Sequence, residues 1–118
     1  MNKIRAMPGP QPPFRSFAEF WPYYLGQHRK PATRAMHYAG LGFAALCFAV
    51  ALAWGGWLWA ILGAVTGYGF SWIGHGLAEG NRPATFGYPL WSLLGDLRMA
   101  ALAASGRLKG ELARYGIE

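Results

Sequence analysis

Between Arg34 and Glu79 the chain carries no Lys, Arg, Asp or Glu. That run is long enough for two membrane spans of about 20 residues each. Helices that face water keep one polar side, usually charged, and this stretch offers no charge. Its middle is broken by Trp54-Gly55-Gly56-Trp57, because paired glycines interrupt regular structure. The pattern predicts a helix starting near Ala32, with a first span from about His37 to Ala53. A second span runs from about Trp57 to Ala78, and Asn81-Arg82-Pro83 stops it. Ahead of the run, residues 14–27 place Phe17, Phe20, Trp21 and Tyr24 at helical spacing, although Pro22 limits the regularity. An aromatic amphipathic helix of that kind suits the headgroup boundary. Residues 89–115 read as one or two further helices. There Leu90, Leu93, Leu94, Leu97, Ala101 and Leu102 make an apolar face, opposed by Asp96, Arg98 and Arg107. This segment is expected mainly at the membrane interface. Four prolines in residues 1–13 predict a disordered tail, leaving 14–116 as a single membrane-embedded domain. The expected fold is all-α: an integral membrane hairpin of two spans, with flanking interfacial helices completing a small bundle.

Charge refines this picture. The net charge is +6 over 118 residues. The basic residues flank the apolar run and form no stripe, which points to lipid headgroups and away from nucleic acid. Arg29, Lys30 and Arg34 precede the first span, Arg82 and Arg98 follow the second, and the turn between has none. The positive-inside rule then places both termini in the cytoplasm, with the inner membrane as the location in a bacterium. Trp54, Trp57 and Trp59 would anchor the far interface. Lys3 and Arg5 are followed by no apolar stretch, so the start does not read as a secretory signal. The single Cys47 excludes an internal disulfide and reads as a small apolar group mid-span. Gly63 and Gly67, continued by Gly74 and Gly76, form a light side suited to close helix contact, and a homodimer is compatible with it. Ser71 and Ser92 lack the context of a hydrolase nucleophile, and no phosphate-binding or dinucleotide loop is present.

The three histidines carry the chemistry. His37 lies 17 residues before Trp54 and His75 lies 18 after Trp57. At about 1.5 Å per residue, both stand roughly 26 Å from the turn, so an antiparallel hairpin brings them to one depth. His28 precedes the first helix on the same side. Glu79, four residues after His75, is expected on the same helix face. Tyr68, Ser71, Trp72, His75, Glu79 and Arg82 would form one polar stripe, which lipid cannot satisfy and which should face protein or a water-filled cavity. Imidazole nitrogens suit iron, zinc and copper, and two or three His with a carboxylate and open positions suit non-haem Fe(II) and O₂ chemistry. Glu79 would be a ligand or would orient a ligating histidine. Taken singly, each histidine has an equally ordinary structural reading, and none of the spacings is a strong metal signature.

Two motifs extend the reading. His28, Pro31, Arg34 and His37 give H-x-x-P-x-x-R-x-x-H, and Gly74, His75, Glu79, Pro83 and Ala84 give G-H-x-x-x-E-x-x-x-P-A. With Phe20-Trp21-Pro22-Tyr23-Tyr24-Leu25, Gly40 and Gly67-Tyr68-Gly69, the chain from about Phe14 to Arg107 resembles the Mpo-type 2-hydroxy-fatty-acid dioxygenases, membrane proteins once catalogued as a domain of unknown function. The resemblance implies an Fe(II)-dependent step of lipid α-oxidation, in which a 2-hydroxy fatty acid and O₂ give a fatty acid one carbon shorter, CO₂ and water. It implies His28, His37 and His75 as metal ligands, with Glu79 as a further candidate. Arg34, Arg82 and Tyr68 are candidates for holding the substrate, the arginines because a guanidinium pairs with a carboxylate. The expected partners are lipid and O₂. Two alternatives stand beside this expectation. One is another histidine-site membrane metalloenzyme acting on lipid, either a hydroxylase or a hydrolase using zinc. The other is a non-enzymatic membrane hairpin.

Overall fold

The computed structural model describes residues 12–81 and 87–117, so most of the expected tail, and Arg82 with the Pro83-Ala84 end of the second motif, lie outside the described residues. All regular structure among the described residues is helical. The chain divides into two compact units, Lys30–Pro83 and the segments flanking it.

The Lys30–Pro83 unit is a helical hairpin. Pro31 opens helix α2 (Pro31–Trp54), at a position where a missing N–H is harmless because the first amides of a helix have no intrahelical acceptor. α2 has 24 residues and is long and apolar enough to cross a membrane. Gly55 and Gly56, at φ 77° and 99°, reverse the chain in a conformation that side-chain-bearing residues resist. Helix α3 (Trp57–Ile73) returns antiparallel and has 17 residues. It falls short of a full span by length, so α2 alone meets that criterion among the described residues. The expected helix through Ala78 is continuous, but its last part is π-helical, over Gly74–Glu79 (π1).

The two arms touch backbone to backbone. A Cβ added at Gly40 would lie 2.8 Å from Gly67 O and 2.9 Å from Phe70 Cβ. Gly63 packs on Ala44 and Cys47, Gly67 on Ala44, and Gly74 on Met36, so the light side of α3 meets α2. Gly76, read as part of that side, faces open space. Cys47 is free and buried in this seam. Close packing of small residues directs the bulky ones outward: Leu46, Leu52, Leu58, Ile61, Val65 and Ile73 are all exposed. Such an apolar exterior is foreign to a water-facing hairpin.

The flanking unit packs helix α1 (Phe17–Gly26) against α4 (Pro89–Ala104), with α5 (Leu108–Arg114) against α4. Ser16 caps α1 by accepting from Glu19 N, and Glu19 Oε1 accepts from Arg15 N. Pro22 sits inside α1 without ending it. Phe20, Trp21, Tyr24 and Leu25 are buried, as the helical spacing predicts. Tyr88 and Trp91 stack, and both meet Phe20. Glu111 accepts from Trp21 Nε1 at 2.7 Å, while Arg98 lies 4.5 Å over the same ring. Burial and the nearby Tyr88 raise the Tyr23 phenol above its ordinary pKa, so it stays neutral and accepts from Gln27. The leucine face of α4 differs from a core-facing one. Leu90, Leu93, Leu94 and Leu97 are exposed, and the buried face is Ser92, Gly95 and Met99. The reason is steric: α1 presents large rings, so α4 offers small residues to them.

The seam gives a paired test. Gly40→Ala should destabilise the hairpin by about 1–3 kcal/mol through overpacking. Gly42→Ala, where a Cβ meets nothing within 4 Å, should be neutral or stabilising by up to about 1 kcal/mol from helix propensity. Thermal melting of both variants in detergent checks the contrast.

Candidate metal centre

His37 lies one turn after Arg34 on α2, and His75 lies in the wide turn of π1. Both are buried. Their Nε2 atoms are 3.0 Å apart, with the rings edge to face. Two nitrogens bound to one ion at about 2.1 Å, at a right angle or somewhat wider, stand about 3.0–3.5 Å apart. The expected meeting of these two histidines at one level of the hairpin is therefore what the structure contains.

Proton bookkeeping sharpens the point. Asn81 Oδ1 can only accept, so at 2.6 Å it takes the proton of His75 Nδ1, and His75 Nε2 carries a lone pair. Ser71 Oγ lies 3.1 Å from Gly67 O and 3.2 Å from His37 Nδ1. Its one hydrogen serves only one of them. Donated to the carbonyl, in the usual manner of a helical serine, it leaves Oγ to accept from His37 Nδ1–H. His37 Nε2 then also carries a lone pair, facing that of His75. Two lone pairs at this distance repel unless a cation lies between them. With the hydroxyl turned to His37 instead, a proton would bridge the rings. The pair thus holds either a proton or an ion.

His28, in the flanking unit, obeys the same rule. It follows α1 and is buried. Its Nδ1 lies 2.6 Å from Tyr24 O, an acceptor only, so the proton is on Nδ1 and the lone pair on Nε2. His28 and His75 therefore each have Nδ1–H held by an oxygen, as metal-ligating histidines do, and His37 joins them when Ser71 donates to Gly67 O. Each of the three buried histidines is a candidate ligand, and the facing pair His37 and His75 could share one ion.

The other candidates are placed differently. Glu79 Oε1 accepts from Lys30 N at 3.0 Å and from Thr33 Oγ1 at 2.7 Å. Lys30 is the N-cap of α2 and offers no side-chain cap of its own, so the carboxylate from the end of π1 takes that place. Its charge also suits the positive end of the helix dipole. Arg34 is half-buried. The expected polar stripe divides: Ser71 and His75 turn inward, while Tyr68 and Trp72 are exposed and pair with each other. The π turn changes the register, which removes the one-face argument for residues four apart.

Sequence reasoning read Asn81 only as a helix stop. Gly80, at φ 77°, folds the chain back so that Gly80 N and Asn81 N both bond to His75 O. This return carries the Asn81 amide to the ring of His75. Gly-Asn after a histidine helix was the available signal. Asp96, which accepts from the Tyr24 phenol, was read only as part of a solvated face.

A chain whose described regular structure is all helical and whose hairpin buries two facing imidazoles defines a candidate metalloprotein. Residues 14–108 match the family described as 2-hydroxy-palmitic acid dioxygenase Mpo1-like, and the chain belongs to that family. No curated protein and no solved structure gives a significant match.

The role of Glu79 as a cap is testable. Glu79→Ala should lower stability by about 1 kcal/mol, a usual loss for a removed N-cap. Glu79→Gln keeps an acceptor oxygen and should lose less. Melting curves of the two variants give the comparison.

Proposed function

We propose that this chain is a membrane dioxygenase, dependent on non-haem Fe(II), that converts a 2-hydroxy fatty acid and O₂ to a fatty acid one carbon shorter, CO₂ and water. The observation that carries the reading is the buried pair His37 and His75, whose Nε2 atoms face each other at 3.0 Å, with the Nδ1 of His75 and of the buried His28 each held by an acceptor oxygen. The family description names a dioxygenase for 2-hydroxy-palmitic acid, which supports the substrate class. The equation balances without an outside reductant.

Bound there, Fe(II) would supply the redox chemistry that lets O₂ react with an unactivated lipid. The protein's part is positional. Asn81, Ser71 and the Tyr24 carbonyl fix the three rings and their tautomers. His37 and His75 would hold the ion, with His28 as a further candidate ligand, and positions would stay open for substrate. Arg34, one turn from His37, holds the substrate carboxylate, since its fork matches two oxygens. Arg82 and Tyr68 remain candidates for the same task.

The bilayer delivers the acyl chain in this reading. α3 and π1 together nearly match α2 in length, and the outer faces of both arms are apolar. The hairpin spans the membrane with both termini cytoplasmic, the exposed Trp54 and Trp57 at the far interface, and the leucine face of α4 in the headgroup layer.

Metal analysis of the detergent-purified protein should find iron, lost in His37→Ala and His75→Ala. A zinc-loaded protein with no iron would favour the hydrolase alternative. Incubation with a 2-hydroxy fatty acid should give the shortened acid under air and not under argon. Equal product under argon would exclude oxygenation.

A further inference from the structure

We infer that α4 acts as a positioning element for His28, through Gly95 and Asp96 acting on Tyr24. This rests on the metal-site reading above. The chain of contacts lies wholly within the flanking unit. Tyr24 orients His28 in two ways. Tyr24 supplies the carbonyl that takes the Nδ1 proton, and its ring stacks on the imidazole with centroids 4.1 Å apart and planes 28° apart. Both constraints move with Tyr24, so what fixes Tyr24 also steadies the imidazole.

Two consecutive residues of α4 do so. The Tyr24 phenol donates to Asp96 Oδ1. At Gly95 an added Cβ would lie 2.9 Å from two carbons of the Tyr24 ring, so only glycine lets the ring approach the helix this closely. Trp21 stacks on Tyr24 at 5.7 Å with planes 11° apart. Tyr24 and His28 are both about 1% exposed, so neither ring has space to rotate. A buried phenol needs a partner, and a carboxylate is the strongest neutral-to-charged acceptor available to it. A phenylalanine would pack in the same volume. The tyrosine and the aspartate are therefore explained by orientation more than by filling space. Gly95 and Asp96 are positioning residues, acting through Tyr24 on the donor geometry of His28.

The test uses the full chain in detergent with Co(II) as the probe, whose visible absorption reports ligand geometry. Tyr24→Phe and Asp96→Asn should each weaken Co(II) binding about tenfold and Gly95→Ala about a hundredfold, the range typical of partners behind a ligand. The Co(II) spectrum should change in all three, while the metal-free proteins Tyr24→Phe and Asp96→Asn melt like metal-free wild type. Unchanged affinity and spectrum in those two variants would overturn the inference. So would a loss of metal-free stability large enough to account for the weaker binding. Wild type that binds no Co(II) would instead remove the metal site itself. Normal Co(II) behaviour without oxygen-dependent product would remove the reaction and leave the positioning role standing.

Discussion

The hairpin rests on one steric constraint, the backbone contact of α2 with α3 at Gly40 and Gly67. Helix axes approach this closely only where side chains are absent, and in lipid such packing replaces the hydrophobic drive that folds proteins in water. The contact sets the depth at which the two arms meet. One turn beyond it on α2 stands His37, and two turns beyond it on the other arm stands His75. Their 3.0 Å separation is a consequence of that seam. A wider spacing of the arms would part the nitrogens and leave each ring to find another partner.

Charge explains why the site is built from imidazole. A buried carboxylate without a cation is costly. Neutral histidines can wait in an apolar interior without that cost, provided each N–H finds an acceptor, and Tyr24 O and Asn81 Oδ1 serve His28 and His75 in that way. The one nearby carboxylate, Glu79, is drawn to the start of α2, where amide donors and the helix dipole receive it. In the proposed reaction an ion held by neutral donors would keep its full positive charge. An anionic lipid head is the natural group to balance it.

Much of this was legible beforehand, and the misses have specific causes. The uncharged run and the Gly-Gly break marked both arms, because apolar length and glycine pairs act locally. Equal distances from the turn placed His37 beside His75, since rise per residue is a reliable ruler. The π turn was not legible. It lies where Gly74 packs closely on Met36, and that contact between the arms is a tertiary fact. Reading that stretch as α-helix put Glu79 on the face of His75. The leucines of α4 were seen correctly as one face. Which side faced inward depended on the bulk of α1's rings, and no pattern within α4 records that.

The π turn also has a meaning for descent. A turn of this kind holds one residue more than an α-helix of equal rise, and it commonly sits where function depends on local geometry. Removal of a single codon between Gly74 and Glu79 would let the segment relax to ordinary helix without disturbing either arm. The imidazole would then swing about the axis and lose its facing partner. Length in this short stretch is thus a dial on chemistry that leaves the architecture intact, and a chain could gain or lose the centre in one step while its hairpin persists.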